Sequence, residues 1–439
     1  MTWWVALLSG VGLLVVLLLL GLPIFVSFLI LNVIGILVLF GPSGFGMFAN
    51  SMYATGTITA LAAVPLFILM GEVMFRSGAM EVLFDSMDRL IGKIRGRQYV
   101  LCILLSAILG ALSGAAMAVA GLLGRSLFPT MRKRGYDLHL SAGTILAGAS
   151  LDPIIPPSVL AIIIATLAQI STGKLLIAGI LPGVLLTGMF LIYVGVRLWL
   201  NPSLAPDVDA DALDRKTGGS ALMALVRMMP ALLIFFLVIG TVILGIATPT
   251  EAAAAGVFGS LVLAYFYGGL SWKMVHDALR SGVTVAGLLL LVMCCAVMFS
   301  QLLTVTGAAR KLGELVIGLN LSPGWMLLIM LGIPFCAELF LFLDTVALMM
   351  VLIPMYQPLL KLYGFDEIWF WTLFLIIATI GGLSPPFGYT LFALKSATPD
   401  VSMADIFKAA WPFVWIMLFG LLLMALFPQI VTFLPRSMG

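Results

Sequence analysis

The stretch "GGLSPPFGYT", Gly381–Thr390, lies between "WFWTLFLIIATI" and "LFALKSA". Its glycines, paired prolines and serine are poor components of a plain membrane helix. Irregular backbone at membrane depth survives only where it is buried in protein or lines a cavity. The helix therefore breaks here for a reason, and the rest of the chain supplies it.

The surrounding composition is that of a bilayer protein. Of 439 residues 62% are hydrophobic and 9% charged, and the first charge is Glu72. Soluble domains carry about 25% charged residues. Runs such as Val5–Leu20 and Ile24–Phe40 are close to the ~20 residues a spanning helix needs. The fold class expected is an all-α polytopic membrane protein. No basic segment precedes the first apolar run, and a second follows at once, which disfavours a signal peptide. Cys102, Cys294, Cys295 and Cys336 lie in apolar segments and fit neither a disulfide framework nor a zinc pattern. No HExxH, GxSxG or P-loop motif is present, so an enzyme or a self-contained ATP-driven pump is disfavoured. No feature points to nucleic acid or to an organic cofactor.

A polar stretch, "NPSLAPDVDADALDRKTGGS" (Asn201–Ser220), divides the chain. The halves repeat. Pro129, Gly135-Tyr136-Asp137 and Pro156-Pro157 recur 229 positions later as Pro358, Gly364-Phe365-Asp366 and Pro385-Pro386. Thr172…Pro182 recurs as Ser402…Pro412, and "GLPI" (Gly21–Ile24) sits opposite "GIATP" (Gly245–Pro249). We expect a first repeat over 1–200, a polar cytoplasmic linker over 201–227 and a second repeat over 228–439.

Basic residues orient the repeats. Lys93, Arg95 and Arg97 precede Gln98–Met131, and Arg132, Lys133 and Arg134 follow it. Both ends of that segment then face the cytoplasm, and it is too short for two crossings of ~20 residues each. It reads as a re-entrant hairpin over 98–131, with a partner over 314–360. Each repeat holds three spans (near 4–21, 23–40 and 58–75; then 228–247, 250–268 and 283–306), a hairpin, a broken helix (138–170; 366–396) and a last span (175–196; 405–432). The breaks fall at 148–158 and 379–388. An odd number of crossings per repeat inverts the second relative to the first and places both termini outside. "SWKMVHDALRSG" (Ser271–Gly282) reads as an amphipathic interfacial helix, with Phe75–Arg89 as its counterpart.

Inverted repeats with broken helices are the architecture of secondary transporters, whose sites lie near the midplane. A broken helix leaves carbonyls at one end, suited to Na+, and N–H groups at the other, suited to a carboxylate. "GASLDP" (Gly148–Pro153) and "ATIGGLS" (Ala378–Ser384) offer the carbonyls, including those of Gly381 and Gly382; Ser150, Thr379 and Ser384 offer hydroxyls. Pro156-Pro157 with Ser158, and Pro385-Pro386, would begin the second half-helices, with Pro157 and Pro386 at the first helical position, their N-termini facing an anionic substrate. A packing kink is the competing reading of each proline pair. Asp344, beside Thr345 at the tip of the second hairpin, is a candidate Na+ ligand, with proton carrier or ion-pair partner as rivals. Asp152 is a candidate ligand or a cap. Ser113 and Gly114 form the tip of the first hairpin. Arg125 can snorkel to the interface or serve as a substrate contact. Glu251 completes a capping box begun by Thr248, with Pro249 at the first helical position. Glu338 falls near a hairpin end without an assigned role.

The motifs "LSGAAMAVAGLLGRSLFPTMRKRGYD", "IIPPS", "AGILPG", "GIATPTEAAAAGV", "FLDTVALMMVLIP" and "GGLSPPFGYTLF" together resemble the large membrane subunit of tripartite ATP-independent periplasmic (TRAP) transporters. The resemblance runs from Gly21 to Pro412. It implies a Na+-driven importer of small organic anions working by an elevator motion in the bacterial inner membrane. It also implies a small four-helix membrane subunit and a periplasmic binding protein as partners. The family's ion-binding regions map onto Ser113-Gly114, Ser150–Pro157, Asp344-Thr345 and Thr379–Pro386. Two positions depart from the family: Ala115 where a second serine is frequent, and Asp152-Pro153 where relatives are apolar or small. A stand-alone Na+- or H+-coupled carboxylate transporter is the alternative, and a membrane enzyme or structural subunit a more distant one.

Overall fold

The structure, a computed structural model, describes residues 3–113, 116–207, 221–308, 311, 314–315, 318–341, 345–386 and 388–438. Among these residues there is no strand, and nine helices are long and apolar enough to cross a membrane.

The first half holds α1 (Trp3–Leu19), α2 (Ile24–Phe40), α3 (Phe45–Gly56), α4 (Ala63–Arg76) and α5 (Ala79–Ile91). Next come the hairpin α6 (Arg97–Ser113) and α7 (Ala116–Lys133), then α8 (Leu138–Ala149), α9 (Val159–Leu167), α10 (Thr172–Ala178) and α11 (Ile180–Leu200). The second half holds α12 (Ala221–Ile243), α13 (Pro249–Phe266) and α14 (Trp272–Val305). It continues with the hairpin α15 (Pro323–Leu341) and α16 (Thr345–Tyr363), then α17 (Glu367–Leu383), α18 (Tyr389–Ala397), α19 (Met403–Leu426) and α20 (Gln429–Ser437). Each half thus carries a hairpin followed by a helix broken at the paired prolines.

The two halves are inverted, and contacts between loops show it. At one end of the molecule Tyr99 Oη donates to the Leu204 carbonyl (2.6 Å), as does the Asp137 N–H (3.0 Å), and His139 meets Asp405 (3.1 Å). At the other end Tyr363 Oη donates to the Leu321 carbonyl (3.3 Å), Gln357 donates to the Ala168 carbonyl and Arg436 faces Asp366 (3.7 Å). Asp137 and Asp366, equivalent in the repeat, therefore lie at opposite ends.

Residues 45–56, which fall between the expected spans 23–40 and 58–75, form α3, which packs against α14. Two expectations are corrected. Ser271–Gly282 is not a separate interfacial helix. Ser271 caps a single 34-residue helix that continues to Val305, with no Gly at positive φ or Pro to stop it. Its counterpart is therefore not Phe75–Arg89. Gly78 and Gly307, 229 positions apart, both sit in the left-handed region (φ 80° and 72°), where glycine is favoured. That register sets the amphipathic α5 opposite the residues after Gly307. The capping box stands as read: Thr248 Oγ1 accepts from the Glu251 N–H (3.3 Å), and the Thr248 N–H donates to Glu251 (2.8 Å).

Two layers of packing place the breaks. An outer group joins α2 and α4 to α14, α4 to α13, and α12 to α5 and α13. Asn32 on α2, fully buried, donates to the Cys295 carbonyl of α14 (2.7 Å). An inner group interlocks the repeats: α6 packs on α8 and α15 on α17 within each repeat, while α9 packs on α16 and α18 on α7 across them. Each second half-helix therefore lies against the other repeat's hairpin. Small residues permit the approach: a Cβ on Gly124 of α7 would lie 2.8 Å from Ala397 Cβ and 2.9 Å from Leu394 Cδ1.

Candidate functional site

In the first repeat α8 ends at Ala149 and α9 begins at Val159. Ser150 caps α8, buried, its hydroxyl donating to the Ala147 carbonyl (2.7 Å) and lying 3.4 Å from Met417 Sδ. Asp152 is 2% exposed and sits just beyond that helix end. Its neighbour is Gly110 of α6, where a Cβ would meet Asp152 Cβ at 2.8 Å and Cα at 2.9 Å. Pro156 and Pro157 are joined by a cis bond in the irregular segment. Ser158 is the N-cap of α9, its hydroxyl accepting from the Ala161 N–H at 3.1 Å.

The second break is shorter than expected. α17 runs through Thr379, Gly381 and Gly382 to Leu383, so these residues form a last helical turn rather than an unwound segment. Within it the Thr379 and Ser384 hydroxyls donate to the carbonyls four residues back, of Leu375 (2.8 Å) and Ile380 (2.7 Å). Ser384 is the C-cap, and its N–H bonds the Gly381 carbonyl (3.1 Å). Pro385-Pro386 is again cis.

The prolines do not begin the second half-helices. Pro157 precedes the Ser158 cap, and Pro386 lies ahead of the Gly388 cap of α18. A capping residue with a non-helical backbone takes the place expected for proline. The half-helix N-termini still face the breaks.

Hairpin two straddles the last turn of α17. Thr345, the first residue of α16, donates from Oγ1 to the Ala378 carbonyl at 3.4 Å. From α15, the Glu338 carboxylate is packed on the α-carbon of Gly381, where any Cβ would collide with it. Glu338 is 7% exposed. Beyond the break, buried Thr390 donates to the Gly382 carbonyl (2.8 Å), and the Tyr389 ring covers Gly382. Gly388 lets the chain return over α17: a Cβ there would lie 2.6 Å from the Gly382 oxygen.

The site therefore brings together Thr345, Thr379, Gly381, Gly382, Ser384 and Pro385-Pro386 in one place, and Ser150, Asp152, Pro156-Pro157 and Ser158 in the other. Ser113 ends α6. Gly114 and Asp344 lie outside the described residues. Arg125 is exposed on α7 and turns its Nε back to the Gly121 carbonyl (3.2 Å), so it does not enter either break. Gly388, Tyr389 and Thr390 carry no role in the sequence reading, and Glu338 is placed there only near a hairpin end. The first three stand inside Gly381–Thr390, beside the paired prolines; Glu338 carries no local signal beyond a lone charge in an apolar run. The donors at both breaks are hydroxyl, carbonyl and carboxylate oxygens, the set that hard cations prefer.

Residues 11–430 match the family description "Tripartite ATP-independent periplasmic transporter, DctM component". The chain is 30% identical over 406 residues to the C4-dicarboxylate TRAP transporter large permease protein DctM of Pseudomonas aeruginosa, covering 92% of each. It is 28% identical over 377 residues to the sialic acid TRAP transporter permease protein SiaT of Haemophilus influenzae, covering 86% of this chain and 60% of that protein. Among solved structures, the Alcanivorax borkumensis YdaH transporter shares the fold, with a TM-score of 0.66 at 15% identity over 90% of this chain and 91% of that one. The chain belongs to the DctM component family of tripartite ATP-independent periplasmic transporters, and is a multi-pass inner-membrane secondary-transport permease rather than an enzyme.

Proposed function

We propose that the protein imports a small organic anion, a carboxylate or a sialic-acid-like acid, driven by Na+ bound at the two breaks. The observation that carries this is the second break: hydroxyls, helix-end carbonyls and a buried carboxylate gather where α17 stops. The end of a helix bears the equivalent of about half a negative charge, which attracts a cation. The opposite ends, at Ser158 and Gly388, carry the positive half and attract a carboxylate. Bound Na+ would hold each helix end against its hairpin, and the substrate would lie between the two half-helix N-termini. The inner group of helices would move as a body against the outer one, in an elevator motion. A small membrane subunit would extend the outer group, and a periplasmic binding protein would deliver the substrate and set most of its selectivity.

The test is uptake into proteoliposomes containing this chain with its small subunit, against an imposed Na+ gradient. Uptake is expected only when both the gradient and the loaded binding protein are present. Uptake of free substrate by this chain alone would favour the stand-alone transporter instead.

A further inference from the structure

Among the described residues, the two buried carboxylates of the inner group occupy mirrored seats. In the first repeat the acid, Asp152, is on the break and the glycine, Gly110, is on the hairpin. In the second repeat the acid, Glu338, is on the hairpin and the glycine, Gly381, is on the break. Asp152 and Gly381 are 229 positions apart, the period of the repeat, and Gly110 and Glu338 are 228 apart. At both contacts, then, an acidic residue packs on a bare α-carbon at the C-terminal end of a first half-helix: through its Cα and Cβ at Gly110, through the carboxylate itself at Gly381. Only the element that supplies the acid has changed.

We propose that Glu338 is the carboxylate of the second cation site, doing for the α17 end what Asp152 does for the α8 end. Geometry and charge both support it. Gly381 has no side chain, and the space so left is filled by the Glu338 carboxylate. That places the carboxylate beside the last turn of α17, whose carbonyls already create a negative potential. Two negative features in one buried place raise the affinity for a cation there, by the same logic that makes intramembrane acids mark ion pathways. Further oxygens lie close by: Ser384, three residues after Gly381, shares its face of the turn, and Thr345 Oγ1 approaches the same turn at the Ala378 carbonyl (3.4 Å). The swap gives each break a nearby carboxylate although the residues at equivalent positions differ. Each bound monovalent cation then has a formal negative charge beside it. This deepens the Na+-coupled reading above and rests on it.

The experiment is a Na+ titration of the purified protein in lipid nanodiscs, with choline balancing ionic strength, read as the thermal unfolding midpoint. Binding to the folded state alone raises that midpoint with ligand concentration. Wild type is expected to be stabilised by Na+ and not by choline. Glu338→Gln is expected to need at least about tenfold more Na+ for half the rise, the equivalent of ~1.4 kcal/mol of binding. Glu338→Asp should fall between the two, and Asp152→Asn combined with Glu338→Gln should abolish most of the response. Because Glu338→Gln could lower stability by itself, Gly381→Ala provides a second route: it keeps the acid but fills its seat, and should weaken Na+ in the same way. If either variant melts lower in choline yet titrates with Na+ as wild type does, Glu338 is structural and the proposal is overturned. A wild type that ignores Na+ removes the Na+-coupled reading together with this one, whereas a responsive wild type and a Glu338→Gln variant with the same half-rise Na+ concentration remove this one alone.

Discussion

Thr345 Oγ1 reaches the carbonyl oxygen of Ala378 at 3.4 Å, joining the first residue of a hairpin arm to the last turns of a broken helix. The bond is long, at the outer limit of useful geometry. A hydroxyl held so loosely can exchange its carbonyl partner for an ion at little cost. Thr345→Val keeps the shape and removes the oxygen. We expect the fold to lose at most about 1 kcal/mol, while the apparent Na+ affinity falls several-fold. Thermal unfolding with and without Na+ separates the two effects, and an unchanged Na+ dependence would exclude Thr345 from the site.

Gly388→Ala tests the return of the chain over α17. The new Cβ would lie 2.6 Å from the Gly382 oxygen and 2.9 Å from the Leu383 carbonyl carbon, both backbone atoms that cannot rotate away. Overpacking of this kind costs about 1–3 kcal/mol. The break should open, with loss of Na+-driven uptake and a lower unfolding midpoint. Full activity in this variant would show that α18 can be displaced without consequence.

Gly124→Leu addresses the lock between the repeats. Ala397 and Leu394 of α18 already lie 2.8 and 2.9 Å from where a Cβ would stand. A leucine should force the hairpin and half-helix apart, destabilising the protein by about 1–3 kcal/mol or more. Cysteine accessibility at Ser396, on the exposed side of α18, should rise with it; unchanged labelling and stability would mean that this contact is soft.

Asn32→Ala provides the contrast. Its bond to the Cys295 carbonyl is buried, but in the outer group and away from both breaks. Hydrogen bonds between membrane helices are worth about 0.6 kcal/mol on average and rarely exceed about 1.7. The variant should unfold slightly earlier and transport with unchanged Na+ dependence. A shift in Na+ affinity would show that the outer group is coupled to the sites.

Much of this protein was legible before its structure. Apolar runs, the polar divider and the 229-residue period are properties of the chain alone, because span length and repeat register depend only on order along the sequence. They suffice for the inverted repeats, the hairpins, the two breaks and most of the hydroxyls around them. Gly78 and Gly307 share the same 229-residue period, and both adopt positive φ.

The tertiary structure decided what touches what. Whether Thr379 and Gly381 are unwound or form a final turn depends on back-bonding hydroxyls and on the hairpin that covers them. Whether a proline or a cap starts the next half-helix depends on a turn whose path the neighbouring helices set. Glu338 and Gly381 meet only because α15 packs on α17. A lone acid in an apolar run shows in the sequence as a cost; the bare α-carbon that makes room for it lies on another helix and is set beside it only once the helices are assembled.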